Sequence, residues 1–167
     1  MSDPALVVGK DVMATVRASA EAVVEAPPAV VFGCIGDYRE RHRHFLPPAF
    51  TDFCVEEGGT GEGTVVRYTL GVGGRSRGYR MRVVVPEPGR VLEEHDTASS
   101  LVTRFTVTPE DAPGTGRSRV RIETTWEGAG GIGGFFEKRF APAALRRLYE
   151  DELARLGAYA KEQASRL

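Results

Sequence analysis

The 167-residue chain has a size and a charge balance that already restrict the kind of protein it can be. Its length is close to that of one ordinary domain and allows a buried core, so we expect a single domain over residues 1–167. A formal net charge of -1 gives no electrostatic reason to expect nucleic acid or an anionic membrane as a partner. We find neither a long uncharged apolar run nor a secretory signal, so we expect no membrane insertion and a cytoplasmic location.

The first three quarters of the chain are patterned mainly as β-strands. Residues 12–25 alternate apolar and polar side chains, which predicts a long, half-buried strand. Pro27 and Pro28 end it, and the apolar residues 29–35 suit a short helix. The charged residues 37–46 then form a second helical or irregular segment. Six more strands, separated by Gly, Pro or Ser turns, are predicted at 50–56, 65–70, 79–85, 91–96, 101–108 and 119–127.

The C-terminal segment, residues 141–167, is predicted to be a long amphipathic helix. Pro142 suits its first turn, where a missing N–H costs nothing. Apolar side chains recur at the three- and four-residue spacing of one helical stripe, which needs a partner surface. We therefore expect an α+β fold: a curved antiparallel sheet of about seven strands, two short helices, and the long helix packed across the sheet. The stripe consists of Leu145, Leu148, Tyr149, Leu153, Leu156, Tyr159 and Ala160.

Four local motifs follow one another in a characteristic order. The segment EAPPAVVF at 25–32 leads to Asp37, and the turns GEGT at 61–64 and EPGR at 87–90 precede the C-terminal helix. In this order, over nearly the whole chain, the sequence resembles the START-like helix-grip superfamily (SRPBCC). That superfamily includes polyketide cyclases, dehydratases and lipid-transport proteins. The resemblance implies a helix-grip fold with an internal ligand site, and it implies no cofactor.

Hairpin turns predict which side chains face one another across the sheet. The predicted turns put Met81, Glu94 and Thr103 in one row on the inner face, because cross-strand neighbours share a face. The preceding turn puts Tyr68 opposite Tyr79 on the same face. These rows predict which side chains point toward the helix.

The same register predicts the outer face. Arg82, Glu93 and Arg104 form a row there in which opposite charges alternate in contact with water. Arg67 lies against Arg80, a like-charge pair that fits less well. We expect the outer row to be exposed and to contribute little to stability.

Glu94 is the candidate catalytic residue. An inward carboxylate is costly unless it is paired, and burial raises its pKa. Such a group can serve as a general acid or base or can anchor a ligand hydroxyl, but a carboxylate bonded to a tyrosine for structural reasons is the alternative. The candidate ligand-binding residues around it are Tyr68, Tyr79, Met81, Thr103, Phe105, Ile122, Trp126 and Tyr149.

Two other motifs indicate sites only weakly. The sequence GAGGIG at 128–133 fits a dinucleotide fingerprint, but no return strand or ribose-binding acid follows it, so we interpret it as a turn. His42 and His44 could bind a metal, yet the remaining histidine, His95, is predicted on the outer face. We therefore expect a solvated charged loop and no metal site.

Two functions remain open. A carrier needs an apolar cavity and a movable lid, for which residues 38–48 are available, whereas a cyclase or dehydratase needs positioned acid and base groups, which Glu94 with Tyr68 or Tyr79 could supply. Only one inward carboxylate and no inward histidine are predicted. This favours binding of a small hydrophobic or aromatic molecule, and a homodimer is possible.

Overall fold

The chain folds into a curved antiparallel sheet of seven strands with a long C-terminal helix, in a computed structural model that describes residues 15–112, 114, 116–128 and 141–167. The strand order across the sheet is β1-β7-β6-β5-β4-β3-β2, so β1 and β2 form its two edges. This is the predicted α+β helix-grip architecture. The elements are β1 (Thr15–Val24), α1 (Pro28–Gly36), β2 (Phe50–Glu57), β3 (Val65–Val72), β4 (Arg75–Glu87), β5 (Val91–Asp96), β6 (Val102–Pro109), β7 (Ser118–Glu127) and α2 (Ala141–Ala164).

The core lies between the sheet and α2. The apolar stripe of α2 buries Leu145, Leu153 and Leu156, while its charged side chains remain largely in water. In β1, Ala18 and Ala20 are buried and the residues between and beside them are more exposed, as the alternation predicts. Burial of these two patterned surfaces against each other is the main source of the hydrophobic stabilisation.

The predicted second short helix is reduced to a single 3-10 turn, His42–His44. The preceding helix α1 starts at Pro28, where the missing N–H is harmless, and it stops at Gly36. Residues 37–41 then turn rather than continue as a helix. This segment carries charged side chains without helical periodicity, which explains why no regular helix forms there.

The inner-face register is partly confirmed. Tyr68 pairs with Tyr79 and Glu94 with Thr103, as predicted. Met81, however, pairs with Asp96 rather than Glu94. The β4–β5 turn lies further along the chain than predicted, with Glu87 paired to Val91, and an irregularity between Val84 and Glu87 moves the register back by one residue. The net shift is two residues. Because side chains alternate with a period of two, a shift of two leaves every side chain on its predicted face.

The predicted outer row is wrong in two respects. Arg82 lies opposite His95, and only Glu93 and Arg104 are paired. Glu93 is also not exposed, because only 8% of its surface reaches solvent. The Nε atom of Arg104 donates to Glu93 Oε1 at 2.7 Å, and His95 Nε2 lies 2.8 Å from Oε2, so both side chains cover the carboxylate.

The like-charge pair Arg67 and Arg80 does occur, and a carboxylate explains how it is tolerated. Glu56 on β2 lies within 3.3 Å of the Arg67 Nε atom and 2.7 Å of the Arg80 Nε atom. One negative charge therefore bridges both cations on this exposed face.

Apart from Gly128, the glycine-rich motif at 128–133 lies outside the described residues, as do residues 12–14 of the first predicted strand. Among the helices that are described, none combines the length and the apolar composition that crossing a bilayer requires.

Candidate functional site

Glu94 lies on the inner face of β5 and is almost completely buried, with 5% of its surface exposed. The Tyr38 hydroxyl donates to Glu94 Oε1 at 2.6 Å. Tyr38 lies two residues after Gly36, the last residue of α1, and is fully buried. Its backbone N–H donates to the Gly59 carbonyl at 2.8 Å, which fixes its position. Tyr38 was not among the side chains predicted from the sequence to contact this carboxylate.

Burial raises the pKa of Glu94 to about 7, and the hydrogen bond from Tyr38 offsets only part of that rise. Burial, together with the Glu94 charge, also holds the pKa of Tyr38 well above its usual value, so this phenol remains a donor. At neutral pH Glu94 is therefore divided between its acid and its carboxylate forms. This is the protonation behaviour that a general acid or base needs near physiological pH.

His42 is inward, so the prediction that it lies in a solvated loop is wrong. Only 3% of it is exposed, and its ring stacks on Tyr38 with centroids 4.3 Å apart. Its Nδ1 atom lies 2.7 Å from the Ile35 carbonyl, which can only accept, so Nδ1 carries the proton. Nε2 is then an unprotonated acceptor, and it lies 3.9 Å from Glu94 Oε1.

Burial lowers the pKa of His42 to about 4, although its bond to the Ile35 carbonyl acts in the opposite direction. The ring is consequently neutral at pH 7. The contact of Nε2 with Glu94 is therefore not an ion pair, and at 3.9 Å it is too long for a direct hydrogen bond. A ligand group placed between the two atoms could bond to both.

His44 points away from this site. It is exposed, and its ring stacks on Tyr159 of α2 with centroids 5.1 Å apart. The two histidines of the turn thus do not converge. Within the described ranges, no group of three or more His, Cys, Asp or Glu side chains is arranged to hold a metal ion.

A second buried carboxyl group, Glu152, extends from α2 toward the same space. Only 2% of it is exposed, and no hydrogen bond or ion pair reaches its carboxylate from the part of the chain that the structure describes. Burial raises its pKa well above the usual value, and the nearby Glu94 raises it further. The sequence contained a signal for it: Glu152 lies seven residues after Leu145 and four before Leu156, which places it on the apolar stripe.

These side chains surround an internal cavity between the sheet and α2, with a volume of about 30 Å³. Of the predicted site residues, Met81, Ile122 and Trp126 are buried in the core but do not line the cavity. The predicted residues that do line it are Tyr68, Tyr79, Glu94, Thr103, Phe105 and Tyr149.

The cavity has a polar wall and an apolar mouth. On the polar wall, Thr103 and Thr124 share a 2.7 Å hydrogen bond, and Thr124 is bonded in turn to the Tyr149 hydroxyl at 2.5 Å. At the mouth, Leu46 and Phe53 are only half-buried.

The segment predicted as a movable lid, residues 38–48, is anchored by three side chains. Tyr38, His42 and Phe45 are all buried, and two of them bond to other elements of the fold. Leu46, which follows these anchors, lines the cavity and is more exposed than His42, the other lining residue of the segment.

The family model described as "Polyketide cyclase / dehydrase and lipid transport" matches residues 13–161. Among solved structures, the NMR structure of KanY protein is 39% identical, with a TM-score of 0.76, and the match covers 89% of this chain and 99% of that one.

Two more distant structures share the fold. The ZhuI aromatase/cyclase from Streptomyces sp. R1128 is 19% identical, with a TM-score of 0.67 and coverage of 90% of this chain and 96% of that one. A START superfamily protein from Mycobacterium smegmatis is 13% identical, with a TM-score of 0.59 and coverage of 90% and 97%. No curated protein sequence matches the chain. The family match and the KanY similarity show that this chain belongs to the polyketide cyclase/dehydrase and lipid-transport family of the START-like superfamily.

Proposed function

We propose that the protein binds a small, largely apolar or aromatic molecule in the cavity between the sheet and α2. The observation that carries this proposal is a lining that is mostly aromatic and aliphatic, with a few polar groups that converge from three elements. These are Glu94 on β5, Glu152 on α2 and His42 in the turn after α1. Concave sites with this composition are the usual sites for small ligands.

The small volume implies that a ligand moves some of the lining. About 30 Å³ accommodates one or two water molecules, not an aromatic molecule. We expect the opening at the edge strand β2, which carries the half-buried Phe50 and Phe53. The pairing of β2 with β3 is irregular at two points, and Asp52 has a positive φ of 56°. Edge strands with broken ladders open at low cost.

Native mass spectrometry of the protein purified from its own host tests the binding proposal. The expected result is a non-covalent adduct of a few hundred daltons that disappears on denaturation. A matched thermal-shift series with neutral aromatic compounds covers the case in which purification strips the ligand. The bare chain mass, together with no stabilisation by any compound of the series, would refute the proposal.

A second candidate function is acid–base catalysis on the bound molecule, and the Glu94–His42 arrangement favours it. Sequence patterning alone predicts one inward carboxylate and no inward histidine, which favours a carrier, whereas Glu152 and His42 both line the cavity. A cyclisation or dehydration requires a proton to be removed beside a carbonyl and another to be delivered to a carbonyl or departing hydroxyl oxygen. Glu94, with a pKa of about 7, can do either step according to its protonation state.

The cytoplasmic location and the homodimer stay predictions.

A further inference from the structure

The ionisable acids and bases that line the cavity around Glu94 include two carboxyl groups and one imidazole. Glu94 and Glu152 contribute carboxyl groups, and His42 contributes the unprotonated Nε2 atom, since its Nδ1 proton is held by the Ile35 carbonyl. Among the described residues that line the cavity there is no Lys or Arg. An ammonium group placed there would stabilise the ionised forms of both carboxyl groups, whereas an anionic ligand would meet two acids and no positive charge.

Glu152 adds an independent observation. Only 2% of its surface is exposed, it faces the cavity, and no partner for its carboxylate occurs among the described residues. Buried polar groups in proteins are almost always bonded, so a group without a partner at a cavity wall points to a missing ligand. Its neighbour Glu94 is a second acid, which cannot neutralise it, and Glu94 Oε1 already accepts the Tyr38 hydroxyl.

The walls around these acceptors are aromatic. Phe53 and Phe105 each have ring centroids 6.1 Å from the His42 ring, and Phe50 packs edge-on against Tyr68 at 5.1 Å. All of these rings line the cavity. Aromatic faces attract a desolvated cation and also bury an apolar body.

We propose that the cavity selects a ligand with a protonated primary amine on an aromatic or apolar body, with the ammonium group between Glu94, Glu152 and His42. An alkylammonium has three N–H donors, and these residues supply acceptors for all three. The inference rests on the proposed binding function and specifies the chemistry of its ligand.

Three compounds with one body and different heads test this inference. We would titrate the wild-type protein at pH 7.5 with 2-phenylethylamine, 2-phenylethanol and 3-phenylpropionate, using calorimetry or ligand-observed NMR. The amine is expected to bind at least about tenfold more tightly than the alcohol, and the carboxylate more weakly than either. Equal or tighter binding of the alcohol or the carboxylate would overturn the inference but leave the binding proposal standing. No binding of any compound at millimolar concentration would count against both.

The variant Glu152→Gln tests the residue assignment. It should reduce the preference for the amine over the alcohol to less than about threefold while leaving the affinity for the alcohol unchanged. The matched control is Glu150→Gln, which lies on the exposed side of the same helix with Arg146 Nε 3.2 Å away and should keep the wild-type preference. An unchanged preference in Glu152→Gln would overturn the role of Glu152.

Discussion

Tyr38 and Glu94 are separated by 56 positions in the chain, yet the phenol of one donates a 2.6 Å hydrogen bond to the carboxylate of the other. This bond joins the end of α1 to the middle of the sheet, directly beside the cavity. It also fixes one oxygen of Glu94, so that the approach to the carboxyl group is left to the cavity side, where His42 and Glu152 lie. The site thus depends on the segment after α1 as much as on the sheet.

The protonation of Glu94 predicts a pH-dependent effect on stability. Its pKa in the folded protein is about 7, above the ordinary value of 4.5, so its contribution to stability is fully present below pH 4.5 and is lost as the pH rises through 7. Glu94→Gln should therefore gain stability relative to the wild type over this window, by up to about 3 kcal/mol. Urea unfolding measured from pH 4 to pH 8 checks this, with the exposed Glu87→Gln as control. A constant difference between variant and wild type would mean that Glu94 is not buried as described.

His42 should show the opposite dependence. Its folded-state pKa of about 4 lies below the ordinary 6.5, so its contribution is present above pH 6.5 and is lost as the pH falls through 4. NMR titration of its ring should give a midpoint near pH 4 in the folded protein and near pH 6.5 in urea. A folded-state midpoint near 6.5 would show that the ring is solvated, as the sequence alone suggested.

Glu93→Gln should cost about 1 to 2 kcal/mol of unfolding free energy, more than an exposed surface pair. The reason is that Arg104 and His95 both bond to a carboxylate that is 8% exposed. Burial alone would raise the pKa of Glu93, but the bonds from His95 and Arg104 outweigh it and lower the pKa. Chemical denaturation at pH 7 measures the cost, and Glu87→Gln, whose exposed partner is Arg90, should change stability by less than about 0.5 kcal/mol. Equal losses of unfolding free energy in Glu93→Gln and Glu87→Gln would contradict the shielding of the Glu93 carboxylate by Arg104 and His95.

The strands, their faces and the C-terminal helix could be predicted from the sequence because they follow simple periods. The period of two correctly placed Glu94 and Tyr68 on the inner face. This assignment stayed correct although the predicted β4–β5 register was wrong, because the error was an even number of residues. The exact pairing of Met81 could not be predicted, since neither the position of the β4–β5 turn nor the irregularity after Val84 has a periodic signature.

The environment of Glu94 was harder to predict. Tyr38 and His42 lie in a segment with charged neighbours and no period, so their burial follows from the tertiary fold rather than from local pattern. Glu152 was visible on the helical stripe, but a charged residue among apolar ones is easily assigned to the solvent side. These three residues are the ones that change the expected chemistry of the site.

Glu94→Gln also separates a carrier from an enzyme. The amide keeps the shape and hydrogen-bonding capacity of the side chain but cannot exchange a proton near pH 7. For a carrier, the affinity for a neutral ligand should remain within about tenfold, because the apolar lining supplies most of the binding energy. For an enzyme, turnover of a polyketide-like substrate should fall by about a hundredfold or more while binding persists. Steady-state kinetics and calorimetry on the same preparation distinguish these outcomes.

The measurement that most directly tests the central claim, a ligand site between the sheet and α2, is binding of the neutral fluorescent probe N-phenyl-1-naphthylamine to two matched variants. Leu46→Trp adds bulk at a half-buried residue that lines the cavity, whereas Leu148→Trp makes the same change at a half-buried residue of α2 that does not line it. The wild type and Leu148→Trp should bind the probe with similar affinity, and Leu46→Trp should bind it at least about tenfold more weakly with an unchanged circular dichroism spectrum. Equal binding by Leu46→Trp and the wild type, or no saturable binding by the wild type, would contradict the account.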